Sequence, residues 1–179
     1  MERAEWLKQM RGKAEALYDH LSPDYWVRFG LDAAEMHCEY LQKFLGLVGQ
    51  RGLILSAACG AGRFDGMLME AGHSVVGIDQ SVGMLARARE HFPPEQFPQV
   101  RYEKMGLQEM DFHEEFEGAI CMDAMEHICP GHWLSGHSWF IRWHSSQPAL
   151  AEGCWCAIYS SRLDCQQSLS RSARASAYG

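Results

Sequence analysis

The sequence predicts an α/β fold built on a parallel sheet, and three observations predict it. Four short apolar runs, Leu53 to Ala57, Ser74 to Ile78, Val100 to Glu103 and Gly118 to Met122, alternate with helical patterns. The first run ends in a glycine-rich turn, Ser56-Ala57-Ala58-Cys59-Gly60-Ala61-Gly62. The second ends in a carboxylate, Asp79, seventeen residues beyond Gly62. Strand and helix alternating at this spacing favour crossover units over a hairpin meander.

Each element has its own signal. Leu7, Met10, Ala14, Leu17 and Tyr18 recur at helical spacing in the opening segment, and Ser22-Pro23-Asp24 is expected to end that helix. Met36, Tyr40, Leu41, Phe44, Leu45 and Val48 mark a second helix, closed by Gly49. Phe64, Met67, Leu68 and Ala71 place a helix after the glycine-rich turn, and Ser81 is suited to cap another directly after Asp79.

A chain of 179 residues with 47% hydrophobic content can build the core of one ordinary domain. A net charge of -7 argues against nucleic acid as a partner, because such proteins normally present a basic face. The opening MERAEWLKQM is charged rather than signal-like, and no apolar run approaches the roughly 18 residues of a membrane span. The expectation is therefore a cytoplasmic protein with no membrane partner. Seven cysteines without a C-x-x-C pair read as reduced, mostly buried thiols. Cys121, His127, Cys129 and His132 match no standard zinc spacing, so no metal is assigned.

The chemistry lies around the first two strands. A glycine-rich turn between strand and helix lets a ligand approach the backbone, since glycine lacks Cβ and accepts positive φ. Alone, it would equally suit a dinucleotide pyrophosphate or a plain tight connection. Asp79 at the end of the second strand can accept both hydrogen bonds of a ribose diol, as in several adenosine cofactors.

The following segment separates these readings. Asp79-Gln80-Ser81-Val82-Gly83-Met84-Leu85-Ala86-Arg87-Ala88 resembles the D-x-S-x-x-M-L-x-x-A stretch of class I S-adenosylmethionine-dependent methyltransferases of the small-molecule type. Met105-Gly106-Leu107-Gln108-Glu109-Met110 stands where that family has G-D-x-x-x-L. Phe116-Glu117 stands where it has F-D before its fourth strand, and Met122 to Ile128 matches the stretch often ending in L-E-H. The resemblance covers roughly residues 14 to 130 and implies a Rossmann-like sheet with S-adenosyl-L-methionine as cofactor and a small-molecule methyl acceptor. The implied cofactor-binding residues are Ala58, Gly60, Gly62, Asp79, Gln80, Met84, Gly106, Leu107 and Met122. Gly60 and Gly62 would admit the methionine portion, Asp79 would hold the ribose, and Met84, Leu107 and Gln80 would contact the adenosine. Leu85 reads as core. Tyr18 to Phe29, with Tyr25 and Trp26, reads either as a lid, by analogy with that family, or as ordinary core.

The sequence departs from the family at Ser56 and Gly106, where carboxylates are common, and at Ala58, where glycine is. Each lost charge-assisted hydrogen bond would be worth about 1.5–3 kcal/mol. No catalytic base is assigned, because His127 reads as a helix-start histidine satisfied by its neighbours. Gly60, Gly62, Gly66 and Asp79 also make a passable fingerprint for an NAD(P)-dependent oxidoreductase, the rival enzyme reading.

Near residue 131 the texture changes. Residues 1–130 hold 4 serines and 21 acidic residues, and residues 131–179 hold 10 and 2. Four of the six tryptophans fall in that tail, which separates it from an ordinary Ser-rich linker. The tail shows no sustained period and no L-x-P-G-G turn into a fifth strand, so the sheet is expected to be incomplete on its C-terminal side, with strand four unpaired along one edge. Codons for Glu152 to Ala157, read from each third base, permit a Gly and then force an apolar triplet. The division is therefore residues 1–130 as N-terminal helices plus cofactor-binding half, and 131–179 as an atypical tail. That tail reads as frameshifted between Ile128 and Leu150, or as a divergent cap or disordered segment. An inactive remnant is the corresponding alternative function.

Overall fold

Strands Leu53–Ala57 (β1), Ser74–Asp79 (β2), Val100–Lys104 (β3), Gly118–Met122 (β4) and Trp155–Tyr159 (β5) form one sheet in the order β3-β2-β1-β4-β5. Every pairing is parallel. The computed structural model describes residues 3–30, 35–112, 115–124 and 155–159. The order reverses direction between β1 and β4, so the crevice at their carboxyl ends is a topological switch point.

Helices Arg3–Tyr25 (α1), Glu35–Val48 (α2), Asp65–Glu70 (α3) and Val82–His91 (α4) complete the described architecture. Side chains alternate along β1. Ile54 joins a core with Leu41, Phe44, Leu68 and Leu85, while Leu55 and Ala57 join a second core with Val76, Met110 and Phe116. This period of two places apolar packing on both faces of the sheet, as parallel strands require. Burying a side chain such as Phe44 contributes about 1.5–3 kcal/mol, and its fit depends on Gly118. A Cβ there would stand 2.7 Å from Val48 Cγ1 and 2.8 Å from Phe44 Cζ.

Two expectations are corrected. Ser22-Pro23-Asp24 does not end the first helix, since α1 runs through Pro23 to Tyr25 and a π-helical turn follows over Trp26–Gly30. Pro23 cannot donate to the Asp19 carbonyl four residues back, and Ser22 Oγ donates to that carbonyl instead, at 2.9 Å. Strand four is also not an edge. Gly118 to Met122 pairs in parallel register with Trp155 to Tyr159. Trp155-Cys156-Ala157-Ile158-Tyr159 is an uninterrupted apolar run, and a parallel strand needs no alternation to form. The inferred frame shift between Ile128 and Leu150 lies outside the described residues.

Candidate functional site

An open cleft sits at the carboxyl ends of β1, β2 and β4, roofed by α1. Ala58 and Gly60 line it from the β1 turn, Asp79 and Gln80 from the end of β2, and Met84 from α4. Gly106 and Leu107 follow β3, and Met122 ends β4. Gly62 is the one expected site residue absent from the wall. Its φ is +78°, and a Cβ there would meet Tyr102 Oη at 2.8 Å, so it shapes the turn from behind.

The turn is held in a form few residues adopt. Ala58 (φ 53°), Gly60 (φ 57°) and Gly62 (φ 78°) all have left-handed backbone. For alanine this costs about 1–2 kcal/mol, and Asp79 is what holds the turn in place. Its Oδ2 accepts the Gly60 N–H at 2.9 Å, and its Oδ1 accepts the Ser81 N–H at 2.8 Å. Burial raises the Asp79 pKa, and the amides of Ser81 and Gly60 pull against that rise. A carboxylate has about four acceptor sites, so capacity for a ligand diol remains.

Helix α4 begins as its sequence suggests, with the Met84 N–H donating to Ser81 Oγ at 3.0 Å. Leu85 is core, as expected, while Met84 is buried yet reaches the cleft wall. The aromatic residues read as a lid or as core divide between two places. Tyr18 and Tyr25 line the cleft, whereas Trp26 stacks on His91 at 3.6 Å, away from it.

The two positions where the resembled family commonly has a carboxylate each have another one nearby. The Gly106 N–H donates to Glu109 Oε2 at 2.8 Å. Behind Ser56 lies Asp65, fully buried. Burial lifts its carboxyl to about 6, opposed by the hydroxyls of Ser56 and Tyr102. Cys59 and Cys121 are buried thiols whose pKa values desolvation raises, that of Cys121 to about 12, which makes them poor nucleophiles and poor ligands. His127, Cys129 and His132 lie outside the described residues. Among the described residues no cluster of metal-ligating side chains occurs.

A further group was not singled out by the sequence. Asp123, directly after β4, has φ 52° and lines the cleft beside Arg63. Its Oδ2 stands 3.0 Å from His37 Nε2 and 3.7 Å from Arg63 Nη1. Arg63 also lies over the Phe64 ring, 4.9 Å from its centroid. His37 comes from α2 and Arg63 from the β1 turn, 26 positions apart in the chain, so no local pattern could pair them. Arg11 and Ala14 of α1 complete this side of the wall.

A sequence profile described as "Methyltransferase domain" matches residues 54–142. The ubiquinone biosynthesis O-methyltransferase of Acinetobacter baylyi is 29% identical over 85 residues, which is 46% of this chain and 35% of that protein. The chain thus spans about a third of that curated relative. Among solved structures, magnesium protoporphyrin IX methyltransferase from Synechocystis, with bound SAM, superposes with a TM-score of 0.60 at 17% identity, covering 91% of this chain and 85% of that one. The Burkholderia thailandensis 1,6-didemethyltoxoflavin-N1-methyltransferase, with bound 1,6-didemethyltoxoflavin and S-adenosylhomocysteine, gives a TM-score of 0.58 at 21% identity, covering 79% of this chain and 59% of that one. These structural likenesses concern the fold. Among the described residues, no helix is long and apolar enough to cross a membrane.

Proposed function

We propose, from the premise that the chain belongs to the class I S-adenosylmethionine-dependent methyltransferase family, that it transfers a methyl group from S-adenosyl-L-methionine to a small-molecule acceptor. The observation that carries this reading is the Asp79 carboxylate. It anchors the left-handed Gly60 turn and lines the same cleft as Gln80, Met84 and Leu107. The residues fit the cofactor: the turn offers backbone without side chains, the carboxylate suits a ribose diol, and Met84 and Leu107 offer apolar surface for a purine.

The cofactor, when bound, supplies an already activated methyl group on a sulfonium. The chain's own work is positioning and exclusion of water. Asp79 would fix the ribose, Gly60 and Ala58 would admit the methionine portion, and Gly106 and Met122 line the same cleft. Tyr18 and Tyr25, carried by α1, cover the cleft and reduce solvent access to the reacting atoms. Residues 1–130 supply this half of the enzyme, and β5 supports β4 from the tail. The three described free cysteines, Cys38, Cys59 and Cys121, fit a reducing, cytoplasmic setting. The oxidoreductase alternative is less well supported, because the matched profile and relatives are methyltransferases.

Calorimetric titration with S-adenosylhomocysteine tests the reading, with Asp79→Ala as control. Micromolar binding that the variant loses supports it. No binding by folded wild-type protein, or stabilisation by NADH instead, overturns it.

A further inference from the structure

We infer that Asp123 is the proton-accepting anchor for the methyl acceptor, and that the acceptor is a neutral aromatic hydroxyl compound. This rests on the methyltransferase reading above. Three independent observations converge on Asp123. It lines the cleft at the end of β4, within the wall shared with the cofactor-binding turn. Its backbone is left-handed at φ 52°, an uncommon state for a residue other than glycine and one that clusters at functional sites. Its Oδ1 is buried and accepts no hydrogen bond from the described residues, while Oδ2 lies 3.0 Å from His37 Nε2 and 3.7 Å from Arg63 Nη1.

A buried carboxylate oxygen without a donor is costly, which makes it a strong acceptor for a ligand that brings one. The charge of Asp123 selects the donor. Arg63 Nη1 stands 3.7 Å away and already balances the carboxylate, so an ammonium ligand would meet a cation beside its partner. A neutral hydroxyl meets no such penalty. The guanidinium also favours negative charge as it builds on the acceptor oxygen. Tyr18, Tyr25 and Phe64 line the same cleft and supply flat apolar surface for an aromatic ring.

In the transfer, the acceptor oxygen forms its bond to the methyl carbon as the sulfur–methyl bond breaks, and that bonding pair stays on sulfur. The hydroxyl proton passes to Asp123 Oδ1 and from there to solvent. His37 does not line the cleft. It is a positioning residue that fixes the carboxylate's orientation from behind, with its own ring packed 5.4 Å from that of Phe64.

Catechol serves as probe and benzylamine as the amine comparison, each titrated into protein loaded with S-adenosylhomocysteine and each assayed for methylation with S-adenosylmethionine. Wild type is expected to bind and methylate catechol and not benzylamine. Asp123→Asn keeps the φ, since asparagine also accepts left-handed backbone, and keeps an acceptor oxygen but no base. It should leave catechol and adenosylhomocysteine affinities within threefold and lower the methylation rate about 100-fold. His37→Ala should lower the rate about tenfold, and His37→Gln, which restores an N–H, should recover it. Turnover by Asp123→Asn at the wild-type rate overturns the role of Asp123. Preference for benzylamine, or no turnover of either probe by protein that binds adenosylhomocysteine, overturns the acceptor class and spares the cofactor reading. Failure to bind adenosylhomocysteine overturns both.

Discussion

Asp19 on α1 and Ser81 at the start of α4 are joined by a hydrogen bond of 2.6 Å, from Ser81 Oγ to Asp19 Oδ1. The same oxygen accepts the Gly83 N–H at 2.9 Å, so one carboxylate docks the helix that roofs the cleft. The hydroxyl that caps α4 therefore also ties down α1. The Ser81 hydrogen bond, then the Gly83 amide, lower the Asp19 pKa.

Asp19→Ala is expected to loosen α1 without unfolding the sheet. Losing two hydrogen bonds to a charged acceptor on a largely exposed residue costs about 1–2 kcal/mol. Amide exchange in α1 should quicken about tenfold, while exchange in β1 and β2 stays unchanged. Because the folded carboxyl titrates below its unfolded value, this docking is present at neutral pH. It fades as pH falls through the folded-state value. Uniform acceleration across the sheet would show that α1 is not a separable unit.

Asp79→Asn and Asp79→Ala should differ. Asparagine keeps an acceptor oxygen for one of the Gly60 and Ser81 amides, and alanine keeps none. The expected order of adenosylhomocysteine affinity is wild type, then Asn about tenfold weaker, then Ala at least 100-fold weaker, by calorimetry. Equal affinities would remove Asp79 from the cofactor site.

Asp65 should make stability depend on pH with an unusual sign. Its folded carboxyl titrates at about 6, above the unfolded value near 4, because burial disfavours the charge. Between those values the folded chain holds a proton that the unfolded chain releases, so stability falls as pH rises through the window. The cost is full above about pH 6, at about 2–3 kcal/mol. Asp65→Asn should therefore raise the melting temperature by several degrees at pH 7.5 and by almost nothing near pH 4. An equal gain at both pH values would mean that packing, not ionisation, is the cause.

Gly62→Ala should destabilise the fold by about 2 kcal/mol or more. The positive φ of 78° disfavours any Cβ, and this one would meet Tyr102 Oη at 2.8 Å. Gly12→Ala, on α1 with nothing within 4 Å of the added methyl, should be neutral or stabilising in the same denaturant titration.

Local signals in the sequence determined the first four strands, the helix closed by Gly49 and the Ser81 cap. Each depends on neighbours only a few residues apart, where apolar period, cap chemistry and glycine's freedom act. Eight of the nine expected cofactor residues line one cleft for the same reason, because the turn and strand ends that carry them are local features. What only the tertiary structure decided involves distant pairs. Asp19 accepts a hydrogen bond from Ser81, 62 positions away. His37, Arg63 and Asp123 meet only because α2, the β1 turn and the end of β4 converge. Strand β5 carries no alternation to read, since a parallel strand takes its place from its neighbour's open hydrogen bonds and not from a pattern of its own.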